Sequence, residues 1–432
     1  MKTQLLFTLG LIFSFIGFSQ TTAIPDPNFE QALIDGGYDS GTINGSVPTA
    51  NINTITNLQV NSKNIADLTG IEDFIALEIL WCVNNDIASI DVSNLTALSN
   101  LNCDRNNLTS IDLSNNTALT SLNILLNDLT TLDLTNNTLL DYLNCAGNDL
   151  TSLNVLNNTA LTYLAFHNND IASIDVSNNP LLSFLGFSFT GITAIDVTSH
   201  PNLTNLQCND ALLSNLDLSN NILLNQLSCR NNQLTGLNVN NNTELDFLDI
   251  ESNEITALNL ANNVLLEELH CEENAINDLD LSNNAEITVL NCQDNQLTAL
   301  NLKNGNNINL TELNTENNPN LLCIEVDDTA FANANWIDDI DTQSSFSEDC
   351  ALFLSTSSIE TPKIKLFPNP ANSYIELSNI TTLEEYQIFD VFGKEISQGV
   401  ISNNAIIDVH HFSNGLYVIQ FGSGAHFKFL KK

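Results

Sequence analysis

The chain contains 432 residues, of which 43% are hydrophobic, so it is long enough to form several domains with packed cores. Its 51 acidic residues outnumber its 11 lysines and arginines and give a formal net charge of −40. A surface of this charge repels phosphates, which excludes direct binding to nucleic acid or to an anionic membrane. We therefore expect partners that are neutral, basic or bridged through cations.

Residues 1–19 are predicted to form a signal peptide. Lys2 supplies the positive charge, residues 5–18 form the apolar segment, and Gly17 and Ser19 are the small residues before a cut that leaves Gln20 first. The apolar segment is too short to span a bilayer as a helix. No later stretch is long and apolar enough to do so. We therefore expect no membrane-spanning segment after the signal peptide is removed.

Residues 20–51 are predicted to cap the N-terminal end of the region that follows. Pro25 precedes Asn28, a residue that can cap a helix, and Phe29 and Leu33 then follow at helical spacing. This pattern predicts a short helix with one apolar face. A cap is needed here because the open end of a stack of repeats exposes apolar side chains.

A 21-residue repeat occupies residues 52–322. In each repeat, apolar and polar residues alternate twice, as at Leu101 to Cys103 and at Ile111 to Leu113, which predicts two short extended segments. So short a repeat leaves no room for a long helix, and the repeats are expected to stack and bury a shared core. One position, here called the cysteine column, reads Cys82, Cys103, Ile124, Cys145, Phe166, Phe187, Cys208, Cys229, Ile250, Cys271 and Cys292.

The cysteine column is interpreted as a row of small buried side chains. A metal or redox site is the functional alternative, because seven of the nine cysteines lie in this column. However, Ile124 and Phe166 occupy the same position and cannot ligate a metal. Free cysteine behaves as a small hydrophobic residue, so the column is expected to line the core with reduced thiols.

An asparagine follows the cysteine column by three residues in most repeats, as at Asn127 and Asn148. A buried amide needs hydrogen-bond partners, so this asparagine column is expected to bridge the backbones of neighbouring repeats. The column lapses at Thr190 and Ala211. We interpret the lapse as a local irregularity, which is where function is expected in a regular array.

A third column is acidic in most repeats. Because neighbouring strands lie about 4.8 Å apart, these like charges repel one another. A solvated acidic face is the favoured interpretation, and neutralisation by calcium is the alternative. The column reads Asp91, Asp112, Asp133, Asn154, Asp175, Asp196, Asp217, Asn238, Asn259, Asp280 and Asn301.

Together, the spacing and the order of Leu, Cys and Asn resemble the 21-residue, cysteine-containing leucine-rich repeats of secreted bacterial surface proteins. The resemblance covers roughly residues 52–350, and the run 184–211 departs from it. It implies a leucine-rich-repeat solenoid, mostly parallel β-structure with little helix. It also implies a binding protein, since such arrays mostly bind varied partners.

Cys323 and Cys350 lie off the 21-residue spacing and flank an acidic segment that contains Trp336. In an exported protein, such a pair is typical of a disulfide, which here would close a C-terminal cap at residues 323–353. Residues 354–362, which are rich in serine, are predicted to form a linker.

Residues 363–432 contain short alternating runs separated by turn residues, which predicts a small antiparallel β-sandwich. Three motifs resemble a type A C-terminal sorting domain. The resemblance implies export through the type IX secretion system, with the secretion machinery and a sortase as partners, to the medium or the outer surface of a Gram-negative bacterium. The motifs contain Phe367, Pro368, Asn369 and Pro370, then Gly393, and then Gly415 and Tyr417.

No catalytic set is recognisable in the sequence, so we predict that the protein is not an enzyme and holds no cofactor. His270 lies between Glu268 and Glu272 and could bind a metal weakly, although a solvated acidic patch is the favoured interpretation. The alternative function is a surface polysaccharide-degrading or calcium-dependent β-helix enzyme, since β-helices also have short repeats.

The ligand site is predicted on the outward positions of the repeats, which alternate with the buried ones. Tyr142, Tyr163 and Phe184 occupy equivalent positions in three successive repeats, with His167 beside them and Phe247 further along the same column. Exposed aromatic side chains often mark a binding site, here for an extracellular protein or a glycan.

The alternative is that these rings only stack on one another as cross-strand pairs. A second candidate site lies at the acidic end of the array. It contains Asp249, Glu251, Glu268 and Glu272.

Overall fold

The structure is a computed structural model and describes residues 20–350, 365–378, 384–391, 393–402, 405–421 and 426–432. The predicted signal peptide (1–19) and linker (354–362) lie outside the described residues. The chain divides between Cys350 and Ala351 into two compact units. The N-terminal unit holds the repeats, and the C-terminal unit is a small β-structure.

Two short strands and two helices cover the start of the array. Strand β1 (Thr21–Ala23) pairs antiparallel with β2 (Ser46–Pro48), and the helices are α1 (Pro27–Asp35) and α2 (Thr49–Ile52).

The residue that caps α1 is Asp26, whose carboxylate accepts hydrogen bonds from the backbone N–H groups of Asn28 and Phe29. The assignment of Asn28 as a capping residue was therefore wrong. Proline is favoured in the first turn of a helix, so Pro27 starts the helix one residue after Asp26. Phe29 is fully buried and stacks with Phe74 at a centroid distance of 6.3 Å.

The repeats form one parallel sheet of thirteen three-residue strands. Equivalent residues of successive repeats pair directly, as Leu143 does with Leu164, which confirms the predicted solenoid. The strands are β3 (Asn57–Gln59), β4 (Ile79–Trp81), β5 (Asn100–Asn102), β6 (Ser121–Asn123), β7 (Tyr142–Asn144), β8 (Tyr163–Ala165), β9 (Phe184–Gly186), β10 (Asn205–Gln207), β11 (Gln226–Ser228), β12 (Phe247–Asp249), β13 (Glu268–His270), β15 (Val289–Asn291) and β17 (Glu312–Asn314).

A second parallel sheet occurs near the end of the array. It contains β14 (Asp278–Asp280), β16 (Ala299–Asn301), β18 (Cys323–Glu325) and β19 (Ser345–Ser347) in that order. The sequence predicts this second extended segment in every repeat. In the earlier repeats the same segment forms no paired strand.

The core consists of columns of equivalent side chains. The central leucine of each strand of the first sheet is buried, and so is the cysteine column two residues later. The seven cysteines of this column are free and buried, and the sulfur atoms of Cys82 and Cys103 lie 3.0 Å apart. Burial raises the pKa of the Cys145 thiol to about 12, so it stays protonated and unreactive at neutral pH.

The predicted asparagine column forms a hydrogen-bond ladder. The Nδ2 atom of Asn127 donates to the carbonyls of Cys103 and Ile124, at 3.0 and 3.1 Å, and its Oδ1 atom accepts from the N–H of Leu108 at 3.0 Å. The side chain therefore joins two neighbouring repeats. These bonds explain why the position is asparagine rather than an apolar residue.

A second ladder of fully buried asparagines was not predicted. Asn137 donates from Nδ2 to the carbonyls of Leu113 and Asn116. His200 replaces asparagine in one repeat, and its Nε2 atom bonds the Val176 carbonyl at 3.0 Å. The ladder residues are Asn116, Asn137, Asn158, Asn179, His200, Asn221, Asn242, Asn263 and Asn284, all with no exposed surface.

The acidic column forms turns. The Oδ1 atom of Asp112 accepts from the N–H of Ser114 at 2.9 Å, and Asn154 makes the same bond to Leu156 at 3.1 Å. Asp and Asn can therefore exchange in this column, because both side chains accept from the backbone two residues later. Hydrogen bonds from Ser114 lower the pKa of the exposed Asp112 carboxyl. Turn formation therefore explains why this position holds Asp or Asn in successive repeats.

The predicted disulfide is confirmed, since Cys323 and Cys350 are bonded. The segment between them contains helix α3 (Thr329–Asn335), which Asp328 caps. Trp336 is buried there and contacts Phe331 and Phe346.

The C-terminal unit contains two antiparallel sheets whose buried residues form one core, which confirms the predicted small β-sandwich. The strands are β20 (Lys365–Phe367), β21 (Tyr374–Ser378), β22 (Glu384–Asp390), β23 (Glu395–Ile401), β24 (Ala405–Asp408), β25 (Gly415–Phe421) and β26 (His426–Lys431). One sheet has the order β20-β21-β24 and the other β23-β22-β25-β26.

We predict that Asn127→Ala lowers the free energy of unfolding by about 2–3 kcal/mol, because it leaves the buried N–H of Leu108 unpaired and removes one of the two amide bonds at the Cys103 and Ile124 carbonyls. Chemical denaturation followed by circular dichroism measures this change. The control is Asn136→Ala, since Asn136 is exposed and makes one bond to the Ser114 carbonyl. The control should change stability by less than about 0.5 kcal/mol. Equal effects of the two variants would refute the ladder's role.

Candidate functional site

The three predicted aromatic residues stand side by side on strands β7, β8 and β9. The ring centroids of Tyr142 and Tyr163 are 4.5 Å apart with planes inclined at 14°, and those of Tyr163 and Phe184 are 4.2 Å apart at 8°. All three side chains are partly exposed. We call this group the aromatic stack. The rings thus pack on one another and also remain on the surface of the sheet.

The orientation of the rings limits what they can contact. Tyr163 is covered on both faces by its neighbours, so it presents its edge and its hydroxyl group. Only the outer faces of Tyr142 and Phe184 remain uncovered by other members of the stack. Burial and the neighbouring Tyr142 raise the pKa of Tyr163 to about 12. Its hydroxyl therefore stays protonated and can donate a hydrogen bond at neutral pH.

His167 adjoins the aromatic stack as a neutral imidazole. Its Nδ1 atom accepts a hydrogen bond from the backbone N–H of Ser188 at 2.9 Å, which requires that this nitrogen carries no proton. Burial lowers the pKa of the ring and so favours the same neutral form. The proton therefore lies on Nε2, where the ring can donate it.

Two small residues make room for these rings. Ala165 and Gly186 are paired on β8 and β9, at a position that the neighbouring strands fill with Asn144 and Gln207. A Cβ atom on Gly186 would overlap Nε2 of His167 and lie 2.9 Å from the ring of Phe184. The sequence analysis missed this pair, although the drop in side-chain size at one outward position is visible in the sequence.

Phe247 does not join the aromatic stack. It lies on β12, three strands beyond β9, and its ring is 5.8 Å from that of His270. The structure therefore brings together four of the five predicted ligand residues and places the fifth beside the acidic end. The prediction grouped Phe247 with the others by its column and residue type, which carry no information about distance along the array.

Carboxylates surround His270. Its Nε2 atom is 3.9 Å from Glu268 and its Nδ1 atom is 4.0 Å from Glu272. Asn291 donates to Oε1 of Glu272 at 2.9 Å, whereas the enclosed Oε2 atom has no hydrogen-bond partner among the described residues. Burial raises the pKa of Glu272, and Glu251 and Asp249 add to this effect.

Phe189 is a surface residue that the sequence analysis missed. Its φ is +56°, and its side chain is 50% exposed. The equivalent positions are also left-handed and hold residues such as Asn168 and Asp210, which tolerate that conformation better than a bulky ring does. A bulky aromatic residue at this position of the repeat was a signal available in the sequence.

The residues of the sorting motifs hold the C-terminal unit together. The side chain of Asn369 donates to the Lys428 carbonyl and accepts from the N–H of Leu430, which ties the first motif to strand β26. Phe367 ends strand β20, and the next residues are Pro368 and Pro370 on either side of Asn369.

The other two motifs lie at a turn and a strand. Gly393 adopts a φ of +77°, and its N–H bonds the Asp390 carbonyl, so it closes the turn after β22. Gly415 begins β25. The hydroxyl of Tyr417 donates to the Ser413 carbonyl at 2.9 Å.

We predict that Gly186→Ala displaces His167 and destabilises the protein by about 1–3 kcal/mol, because the new methyl group overlaps the imidazole. The Tm and the histidine NMR signals measure these effects. The matched control is Gly191→Ala, whose Cβ atom would meet the Ala172 backbone at an ordinary 3.6 Å. A Gly186→Ala variant with the Tm and histidine signals of the unmodified protein would contradict the packing described here.

Solved structures with the same fold include proteins from two bacteria. The functional domain of InlJ from Listeria monocytogenes, which includes a cysteine ladder, is 26% identical, with a TM-score of 0.65 and a match over 96% of this chain and 99% of that one. The internalin InlF from Listeria monocytogenes is 25% identical, with a TM-score of 0.56 over 64% of this chain and 91% of that one. The leucine-rich repeat protein LIC12759 from Leptospira interrogans is 19% identical, with a TM-score of 0.53 over 69% and 85%.

The comparison with curated proteins finds no match. In the described part of the chain, no helix has the length and apolar character needed to cross a bilayer. Residues 365–432 match the family of secretion system C-terminal sorting domains, which confirms the resemblance seen in the motifs. The protein is a leucine-rich repeat solenoid that carries a C-terminal sorting domain of the type IX secretion system.

Proposed function

We propose that this is a bacterial surface protein that binds another extracellular protein through the solvent face of its thirteen-stranded sheet. The binding site is centred on the aromatic stack and His167. The observation that carries the proposal is the arrangement of these groups. Partly exposed ring edges, two tyrosine hydroxyls and one neutral imidazole N–H lie together on three paired strands.

The orientation of the rings favours a protein over a glycan. A sugar usually binds an aromatic residue by lying on its face, and both faces of Tyr163 are occupied by its neighbours. Ring edges carry a partial positive charge, and hydroxyl and imidazole groups donate hydrogen bonds. Backbone carbonyls and carboxylates of a protein supply matching acceptors. Tyrosine is also enriched among the residues that contribute most to protein–protein binding.

In this proposal the protein binds its partner and catalyses no reaction. The two more similar structures named above are a functional domain of InlJ and an internalin, and neither is named as an enzyme. A polysaccharide-degrading or calcium-dependent enzyme is the alternative, and its place would be the carboxylates around His270. Cleavage of a polysaccharide by the purified protein would favour that alternative.

The proposed route of export has three parts. Residues 1–19 direct the chain out of the cytoplasm and are removed, and the sorting domain then passes the protein through the type IX machinery of a Gram-negative bacterium. A sortase finally removes that domain and leaves the repeats on the cell surface or in the medium. The match of residues 365–432 to the sorting-domain family supports this route.

The binding proposal is tested by screening the protein on arrays of extracellular proteins and of glycans. For a partner found on the protein array, Tyr142→Ala, Tyr163→Ala and Phe184→Ala should each weaken binding by about 1 kcal/mol or more, because each removes part of a continuous contact surface. Biolayer interferometry measures the affinities. Gln226→Ala is the control, since Gln226 holds the equivalent position on β11. Wild-type affinity in all three aromatic variants would place the site elsewhere.

The export proposal predicts that deletion of residues 363–432 leaves the repeats in the periplasm, because the chain then lacks its sorting domain. Fractionation of the host bacterium with an antibody against the repeats measures the location. The control is the Gly236→Ala variant of the full chain, since a Cβ atom there meets no other atom within 4 Å. Appearance of the deleted form at the surface would contradict the assignment of this route.

A further inference from the structure

We propose that Phe247, Glu268, His270 and Glu272 form a second subsite, here called the acidic subsite, which binds an arginine side chain of the protein partner. This inference rests on the proposed function, because it assigns a second contact to the same partner on the same sheet. None of the residues of the acidic subsite belongs to the aromatic stack. It also gives a role to Phe247, which the structure separates from the other aromatic residues.

The carboxylates in and beside this subsite differ in how many hydrogen bonds and ion pairs they already make. Both oxygens of Asp249 accept hydrogen bonds, from Ser228 and from the N–H of Glu251. Glu251 lies 3.8 Å from Arg230. Among the described residues, the imidazole of His270 is the only possible counterion within 4 Å of the carboxylates of Glu268 and Glu272. These two residues are therefore the ones available to a cation.

Glu272 supplies a separate indication of a ligand. Its side chain is 90% buried, yet the Oε2 atom has no hydrogen-bond partner among the described residues. A buried charged oxygen without a partner is unfavourable, and a cation brought next to it removes that cost. Oε2 of Glu272 is therefore available to a donor that the described residues do not supply.

The geometry favours an organic cation over a metal ion. Among the described residues, no three His, Cys, Asp or Glu side chains come together in a way that could hold a metal ion. A guanidinium group is planar, carries five N–H donors and can bond a carboxylate through two of them. It can therefore reach carboxylates that lie too far apart to share one metal ion.

The aromatic ring of Phe247 completes the subsite. Phe247 pairs with Glu268 across β12 and β13, so an arginine bound to Glu268 passes beside the ring. Guanidinium groups favour such contacts with aromatic rings. The ring of His270 lies between the two carboxylates, and the inferred binding step turns it aside so that the cation reaches Oε2 of Glu272.

The distance to the aromatic stack suits a single polypeptide segment. Strands β9 and β12 are three strand spacings of about 4.8 Å apart, which separates Phe184 from Phe247 by roughly 14 Å. An extended chain rises about 3.3 Å per residue, so a segment of about four or five residues spans both sites. The partner's segment would therefore carry an arginine at one end and hydrogen-bond acceptors at the other.

The test measures binding of a fluorescein-labelled hexa-arginine peptide to the full protein by fluorescence anisotropy. A buffer of about 0.15 M ionic strength, where the Debye length is about 8 Å, limits non-specific attraction to the acidic surface. Glu268→Gln combined with Glu272→Gln should weaken binding at least fivefold. The control, Asp112→Asn combined with Asp133→Asn, removes the same charge and should change the affinity less than twofold. Asparagine holds this turn position naturally at Asn154, so the control keeps the fold.

Equal weakening of both double variants would show general attraction to charge and overturn the proposal. His270→Ala gives an independent reading, since it opens the path to Glu272 and should leave the peptide affinity unchanged or raise it. A fivefold loss in His270→Ala would also overturn the proposal.

Tyr163→Ala separates the two inferences. It should not change the affinity for the hexa-arginine peptide, because this peptide binds only the acidic subsite. The proposed function is tested separately, in the assay with the protein partner. It fails if the three aromatic variants bind that partner as tightly as the unmodified protein does.

Discussion

The fold depends on hydrogen bonds that buried asparagine side chains make between successive repeats. A repeat of this length bends sharply, and each bend turns backbone carbonyls and N–H groups toward the core. Asn127 satisfies such groups at one bend and Asn137 at another. Loss of these bonds would leave backbone groups unpaired, at a cost comparable to several lost hydrogen bonds. The ladder therefore keeps the outward columns aligned, even where two extra residues separate β15 from β17 and Asn318 still bonds the Cys292 carbonyl and the Leu297 N–H.

The same alignment creates both candidate sites. Residues 21 apart come to lie on neighbouring strands, so one aromatic residue in each of three successive repeats becomes a stack of rings. Where the asparagine column lapses, Thr190 retains one bond of the ladder, from its hydroxyl to the Phe187 carbonyl, at 2.8 Å. Phe184 still pairs with Asn205 across the sheet, so the lapse does not interrupt the strands. The repeats near the site can therefore vary their side chains because the sheet itself supplies the alignment.

Much of the fold was predictable from the sequence because it follows from spacing alone. The period indicated stacked parallel strands, and the two cysteines outside it indicated the disulfide. The second ladder was harder to recognise, since asparagines such as Asn137 resemble ordinary turn residues until their complete burial is known. The orientation of the aromatic rings could not be predicted from the spacing of residues in the sequence. It depends on Gly186 and on the backbone N–H of Ser188, which fix the neighbouring imidazole.

The charge of the repeats leads to a constraint on the partner. Only four lysines and arginines lie within residues 20–350, and each is engaged inside the array. Lys63, Arg105 and Arg230 face carboxylates, and Lys303 donates to the Glu348 carbonyl. Such exposed pairs contribute little stability. However, they leave few cations on the array to weaken its negative potential. A basic partner segment is therefore attracted along the whole array before it makes specific contacts, and its approach should slow as salt concentration rises.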